Sequence, residues 1–339
     1  MCSRRPTEAE GRVKAVAVKV FITGASGFIG NHLVEELLDK NWQVSVLLHK
    51  RSIPKEKECK VIMGNIGYYS YLREAFKGTD VLFHLAAALG SSLINKEEFF
   101  RINAEGTENI LRAAREAGVK RIVHFSSSGV LGSVKKYETA DEDYPKKPID
   151  VYDKSKLEGE KIALRYAREG MDVVVVRPGW VYGPGDRRTF KLIKAIAKKR
   201  FILITKGKAW QTPVYIKDLI KATLLCAEKG QKGQIYHLAG REVLTVKQIV
   251  ETIAEAEGMR LPRFSLPLFP VKIAACSMGK AFSLFKREAP LTMGKLAFFI
   301  APKPISIRKA EKELGYSPET NFKEGMAQTI AWYREHNWI

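Results

Sequence analysis

Lys19 to Gly30 reads KVFITGASGFIG, an apolar run closed by three glycines at a spacing of three residues. Val18 to Thr23 is rich in β-branched and aromatic residues, the composition of a buried strand. From His32 to Lys40 the apolar residues recur at helical spacing, with Leu33, Val34, Leu37 and Leu38 on one face. Between strand and helix, Gly24 permits a tight turn, Gly27 lets backbone come close to a pyrophosphate, and Gly30 lets the helix pack against the strand. The free N–H groups at the start of the helix are a seat for phosphate. Gly24, Ser26, Gly27, Phe28, Ile29 and Gly30 are therefore the candidate dinucleotide-binding turn. A glycine triplet alone also fits a strand-turn-helix that holds no ligand.

A second signal comes well downstream, in Tyr152-Asp153-Lys154-Ser155-Lys156. Residues four apart on a helix share a face, so Tyr152 and Lys156 stand one above the other. A phenol with pKa near ~10 is a poor base at neutral pH, and a neighbouring ammonium favours its ionised form. The positive charge of an oxidised nicotinamide acts the same way. Tyr152 can then exchange a proton with an alcohol or ketone while hydride moves to or from the cofactor. Ser127, at the end of an expected strand, is placed to hydrogen-bond the reacting oxygen. In isolation the YxxxK pattern also fits a half-buried tyrosine beside a solvated lysine. The glycine turn upstream makes it a candidate catalytic pair.

Short apolar segments alternate with helix-like ones through the first half. VSVLL at Val44 to Leu48, KVIMG, DVLFHLAA at Asp80 to Ala87, RIVHFSS at Arg121 to Ser127 and DVVVVRP at Asp172 to Pro178 are the strands. The pattern predicts an α/β fold with a doubly wound parallel sheet covered on both faces. After Pro178 it loosens, with GPGD at Gly183 to Asp186 marking a turn. The expected division is a loose basic tail over 1–16, a dinucleotide-binding domain over 17–178 and a smaller, interleaved substrate lobe over 179–339. About 213–241 returns to the sheet, at QIYHLAG, and the last helix, Phe322 to Trp338, is aromatic on one side.

The 339 residues carry a net charge of +20, which draws anions without saying which. Lysines interspersed with glutamates account for most of it as solvated surface, and bulk charge alone is no case for nucleic-acid binding. Arg260 to Lys309 differs, with ten basic residues and one acid, Glu288, among apolar groups in FSLPLFPVKIAAC and LAFFIAP. Lysines interrupt it before any run reaches the ~20 residues that cross a bilayer. It reads as a cap over an apolar substrate pocket, or as a surface for peripheral contact with an anionic membrane. Cys2, Cys59, Cys226 and Cys276 are scattered without a CxxC pair, so neither a disulfide framework nor a zinc or other metal site is expected. With no secretory signal at the start, this points to the cytoplasm.

From Val18 to the C-terminus the chain resembles the extended short-chain dehydrogenase/reductase family, within the NAD-dependent epimerase/dehydratase superfamily. The resemblance is carried in order by TGASGFIG, HLAA at His84 to Ala87, NAEGTEN at Asn103 to Asn109, FSSSGV at Phe125 to Val130, YDKSK, RPGWVYGPGD at Arg177 to Asp186, VYIKDL at Val214 to Leu219 and ELGYSPE. It implies a Rossmann-type sheet, a catalytic Tyr152 and Lys156, and a serine from the Ser126 to Ser128 run. Ser127 is the choice, because the family's serine stands three residues before the valine that is here Val130. Ser128 is the alternative. Cofactor contacts implied by the resemblance, besides the glycine turn, Tyr152 and Lys156, fall on Asn65, Ile66, Leu85, Ala86, Ala87, Asn103 and Pro178. A homodimer through the helices after Phe99 and Tyr152 is also implied.

Departures from the family pattern bear on cofactor and substrate. Where NAD-preferring members have an acid after the second strand, this chain has His49-Lys50-Arg51, three partners for a 2′-phosphate. NADP(H) is therefore expected over NAD(H). Asn65 stands where the family often has aspartate near the adenine. Trp180 occupies the place of the asparagine that touches the sugar diphosphate in nucleotide-sugar enzymes, and Gln211 and Thr212 stand where an arginine is common. RPGWVYGPGD and the apolar cap look more like the 3β-hydroxysteroid dehydrogenase and dihydroflavonol reductase branches. The expected reaction is oxidoreduction of a secondary alcohol and ketone on a largely apolar small-molecule substrate. Nucleotide-sugar epimerisation or dehydration with a retained NAD is the alternative, sustained by the positive charge.

Overall fold

The computed structural model describes residues 17–89, 93–262, 264–284 and 288–339, without the side chains at 280, 283 and 284. The tail expected over 1–16, Cys2, Arg263, Lys286, Arg287 and the Lys280 side chain lie outside the described residues. Cys59, Cys226 and Cys276 are free thiols.

Seven apolar runs pair as one parallel sheet: β1 (Lys19–Thr23), β2 (Gln43–Leu48), β3 (Lys60–Met63), β4 (Val81–His84), β5 (Arg121–Phe125), β6 (Val173–Pro178) and β7 (Ile235–Leu238). Their order across the sheet is β3-β2-β1-β4-β5-β6-β7. The inner strands are apolar throughout rather than alternating because both faces are covered. Val20 and Ile22 pack with Leu33, Val34 and Leu37 of the Phe28–Asp39 helix and with Leu219 of the Ile216–Lys229 helix. Phe21, between them, faces Phe76, Ile110, Leu111 and Tyr166 on the other side. The chain winds outward in opposite directions from β1 and β4, so a crevice opens beyond their carboxyl ends, where ligands gather in open α/β sheets.

The first helix starts at Phe28, four residues before the expected His32, because Gly27 adopts extended backbone and serves as its N-cap. The Lys96–Phe100 helix runs through a π-helical turn, Arg101–Glu105, into Gly106–Glu116. That rod lies beside the Val151–Arg168 helix, and the Tyr166 hydroxyl donates to Glu108 at 2.6 Å.

After β6 the chain builds two-stranded parallel pairs, Trp180–Tyr182 with Pro213–Tyr215 and Leu203–Ile204 with Ser265–Leu266. Leu244–Thr245 pairs antiparallel with Trp210–Gln211. The last helix, Phe322–Glu335, ends before the expected Trp338 and packs on the Val246–Ala256 helix and on Pro213–Tyr215. Its aromatic side packs within the same half of the chain: Tyr333 stacks on Trp338 at 5.3 Å and meets the edge of Phe190 at 5.5 Å.

Among the described residues, one ion pair sits wholly inside. Arg177 on β6 gives Nε to Glu160 Oε2 at 2.8 Å and Nη2 to Oε1 at 2.7 Å, and both side chains are buried. Glu160 also accepts from the Ser126 hydroxyl at 2.7 Å, and Arg177 Nη1 donates to the Glu142 carbonyl at 3.0 Å. Two charges in a dry interior repay their desolvation only when the geometry is bidentate and every remaining donor is engaged. Glu160→Ala should leave the guanidinium buried and uncompensated, costing about 3–5 kcal/mol, read as a lowered denaturant midpoint.

Candidate active site

The glycine turn closes the crevice on one side. Gly24 has φ +79°, and a Cβ there would lie 2.6 Å from the Ala86 nitrogen. A Cβ on Gly30 would meet the Gly24 carbonyl oxygen at 2.2 Å, so the helix can approach β1 only without a side chain. Gly27 is exposed, and no side chain caps the helix it begins. The helix's leading N–H groups are thus left for an anion, which fits a dinucleotide pyrophosphate. Ser26, Phe28 and Ile29 are partly exposed around this turn.

On the other side stand the three serines and the Val151–Arg168 helix. The serines divide by environment. Ser126 turns inward to Glu160, Ser128 is buried in a 3-10 turn, and Ser127 is half-buried. The Ser127 hydroxyl accepts from the Gly129 N–H at 3.0 Å and lies within hydrogen-bonding reach of the Tyr152 phenol. The helix begins at this point because the Asp150 carboxylate accepts from the Asp153 N–H at 2.8 Å. Gly129 lets the serine turn approach it, since a Cβ there would strike the Asp153 carboxylate.

The electrostatics differ from the expectation that Lys156 lowers Tyr152. Burial pushes the phenol above the ordinary tyrosine range, helped by Asp153 and Asp150, while Arg188 and the Ser127 hydrogen bond pull it down. Lys156 instead donates to the Phe125 carbonyl, and burial pulls its ammonium down to about 8 despite Glu160. The desolvation of both groups outweighs their proximity on the helix face. Tyr152 consequently holds its proton at neutral pH. Arg188, at the start of the Arg187–Ala197 helix, acts on the phenol through its charge and was missed in the sequence because its i and i+4 neighbours say nothing of a site formed between distant segments.

Asn103, a cofactor contact by the family resemblance, is buried and braces the site. Its Oδ1 accepts from the Ala88 N–H at 2.7 Å, and its Nδ2 donates to the Ala88 carbonyl at 3.2 Å and to Ser155 Oγ at 2.9 Å. Ser155 donates onward to the Tyr152 carbonyl at 2.7 Å. The loop at the end of β4 is thereby tied to the first turn of the tyrosine helix. The same loop is held from below, where the Ala86 N–H donates to Thr23 Oγ1 at 3.3 Å and that oxygen lies 2.7 Å from His84 Nδ1. Burial holds the His84 imidazole down to about 3, so it is a neutral hydrogen-bonding strut.

Leu85, Ala86 and Ala87 are partly exposed along the crevice beside the glycine turn. His49, Lys50 and Arg51 follow β2 as exposed side chains. Asn65 spends its side-chain oxygen on the Gly67 N–H at 2.8 Å, Ile66 is buried against Gly106, and Pro178 is buried at the end of β6.

Across from the turn, Trp180 lies 5.0 Å from Phe298 and 6.0 Å from Phe322, ring centre to ring centre. Gln211 donates its amide to the Phe298 and Ala301 carbonyls at 2.8 and 3.0 Å, and Thr212 Oγ1 accepts from the Ile305 N–H at 3.0 Å. These two residues anchor the chain after the Met293–Ile300 helix beside the site. Lys303 completes the closure, 3.6 Å from Asp153, whose carboxyl burial pushes up while Lys303 pulls it down. Among the described residues no group of three or more His, Cys, Asp or Glu is arranged to hold a metal ion.

The chain is similar to known proteins. Residues 20–239 match the model of the NAD dependent epimerase/dehydratase family. A 4-hydroxy-2-methyl-3-oxo-4-farnesyl-3,4-dihydroquinoline-1-oxide ketoreductase of Stigmatella aurantiaca is 30% identical over 91% of this chain and 95% of its own length. A 3 beta-hydroxysteroid dehydrogenase/Delta 5-->4-isomerase of Mycobacterium tuberculosis is 28% identical over 93% of this chain and 90% of its own. The structure of MoeE5 with UDP-glucuronic acid and NAD superposes with a TM-score of 0.76 at 27% identity, covering 94% of this chain and 99% of that one. With its parallel sheet, its glycine turn and a family match over most of its length, the chain belongs to the NAD-dependent epimerase/dehydratase family, and its fold is that of the extended short-chain dehydrogenases.

Proposed function

We propose that this protein interconverts a secondary alcohol and ketone on a largely apolar molecule, with NADP(H) preferred over NAD(H). The observation that carries this reading is the half-buried Ser127 hydroxyl beside a Tyr152 phenol that burial keeps protonated. A bound nicotinamide supplies or accepts the hydride. Ser127 orients the substrate oxygen, and Tyr152 gives that oxygen its proton in the reductive direction. Lys156 holds the Phe125 carbonyl at the end of β5 and keeps a positive charge under the site below a pH of about 8. The aromatic wall of Trp180 and Phe298 suits an apolar body rather than a sugar diphosphate, and Gln211 has its amide donors engaged elsewhere. The ketoreductase and hydroxysteroid dehydrogenase relatives agree with that substrate class.

The nucleotide-sugar neighbour supports a second reading, in which a retained NAD takes hydride from the sugar and returns it. Purified protein assayed with apolar ketones and UDP-sugars, each with both cofactors, separates the two. Net consumption of NADPH with a ketone is the expected result. UDP-sugar interconversion without net cofactor change would favour the second.

Tyr152→Phe should lower turnover by about 10²–10⁴-fold with the cofactor dissociation constant unchanged, measured by steady-state rates and fluorescence titration. Lys50→Ala with Arg51→Ala should raise the KM for NADPH by about tenfold and leave that for NADH nearly as it was. Equal or better turnover of the unaltered enzyme with NADH would overturn the NADP preference. Lys156 titrates at about 8 in the folded protein and near ~10.4 in the unfolded chain, so between those values the unfolded state binds more protons and stability rises with pH. Lys156→Met should therefore gain thermal stability over the unaltered chain below pH ~8, with the difference shrinking as the pH rises through that window.

A further inference from the structure

The basic, apolar stretch from Arg260 to Lys309 splits into two parts with opposite behaviour. The Met293–Ile300 helix buries Leu296 and Ala297 and brings Phe298 against Trp180. The Leu268–Leu284 helix does not follow it inward. Val271 and Ala275 are buried, one helical turn apart, whereas Phe269 is 75% exposed and Ile273 is 53% exposed. Phe269, Lys272, Ile273 and Cys276 form one outward stripe. Just before that helix, Phe264 is 61% exposed, and Leu266, in the short Ser265–Leu266 strand, is exposed as well.

Basic side chains outnumber acids nearby. Arg260 and Lys272 are exposed within the segment. Arg260 and Lys206 share with Phe264 the rim of a cleft of about 780 Å³. Of the acids on that rim, Glu251 is 3.6 Å from Lys247, and Glu255 stands on the same Val246–Ala256 helix. Glu288, the acid within the segment, is held between Lys295 at 3.1 Å and Lys191 at 3.5 Å. Apolar side chains turned outward among free cations suit a partner that offers hydrocarbon beneath negative charge. A second copy of this +20 chain would instead set cations against cations. No helix of the described residues is long and apolar enough to cross a membrane, so the contact lies in the plane of the surface.

We propose that Phe264, Leu266, Phe269 and Ile273, with Arg260 and Lys272 around them, dock the protein on an anionic lipid bilayer. The docking stands independently of the reaction assigned to the active site. It is tested by co-sedimentation of the full chain with vesicles of phosphatidylcholine alone and of equal parts phosphatidylcholine and phosphatidylglycerol. The protein should partition onto the anionic vesicles, leave neutral ones largely bare and dissociate as salt is raised. Phe269→Ser with Ile273→Ser should weaken partitioning by about tenfold or more, with far-ultraviolet circular dichroism and thermal midpoint unchanged. Lys272→Glu should weaken it in low salt and matter little in high salt. Failure to bind anionic vesicles, or binding that the double serine variant leaves intact, would overturn the proposal. So would a wild-type dimer that the serine variant converts to monomer, since that would assign the face to a second copy.

Discussion

The site depends on the buried pairing of Arg177 with Glu160. The carboxylate of Glu160 belongs to the same helix as Tyr152 and Lys156, the guanidinium to β6, and the Ser126 hydroxyl that completes the cluster to the turn carrying Ser127. One ion pair therefore sets helix, strand and serine turn at a common distance. Its value lies in geometry more than in energy, because an apolar replacement of equal volume could match its stability without fixing the register of three separate segments.

The second constraint is desolvation. In and beneath the crevice between the glycine turn and the tyrosine helix are groups whose charged forms lose water on folding: the phenol is held neutral, the lysine is drawn toward neutrality and His84 is kept uncharged. A protonated phenol beside a hydroxyl donor is a ready acid for a carbonyl oxygen. Asn103 and Ser155 then hold the loop after β4 at a set distance from the first turn of the tyrosine helix. The arrangement is rigid on the cofactor side, where backbone approaches backbone through Gly24 and Gly30. On the opposite side it is built from aromatic side chains.

Most of the sheet was readable from its amino acids. Runs such as VVVVRP and VFIT have the short length and β-branched content of buried parallel strands, and the glycine spacing marked where the first one turns. The start of the first helix was not readable, because Phe28 becomes its first residue only through the extended backbone of Gly27. Neither was the bracing by Asn103. The family resemblance implies a cofactor contact there, and only its neighbours in space, Ala88 and Ser155, reveal the brace. The choice of Ser127 from three consecutive serines rested on family spacing. The structure adds a physical distinction, since Ser126 is committed to Glu160 and Ser128 is buried.

What the sequence determined by itself is everything that depends on local pattern: alternating strands and helices, a tight glycine turn from Gly24 to Gly30, and a tyrosine and lysine on one helical face. Tertiary structure decided what depends on burial and on long-range contact. It raised the Tyr152 phenol where the spacing with Lys156 led one to expect lowering, placed Gln211 and Thr212 as anchors for the chain after Phe298, and left Phe269 and Ile273 outside while Leu296 went in. The reason is physical. Periodicity states which residues share a face, whereas the free energy of a charge or an apolar side chain is set by what covers that face, and distant parts of the chain supply the cover.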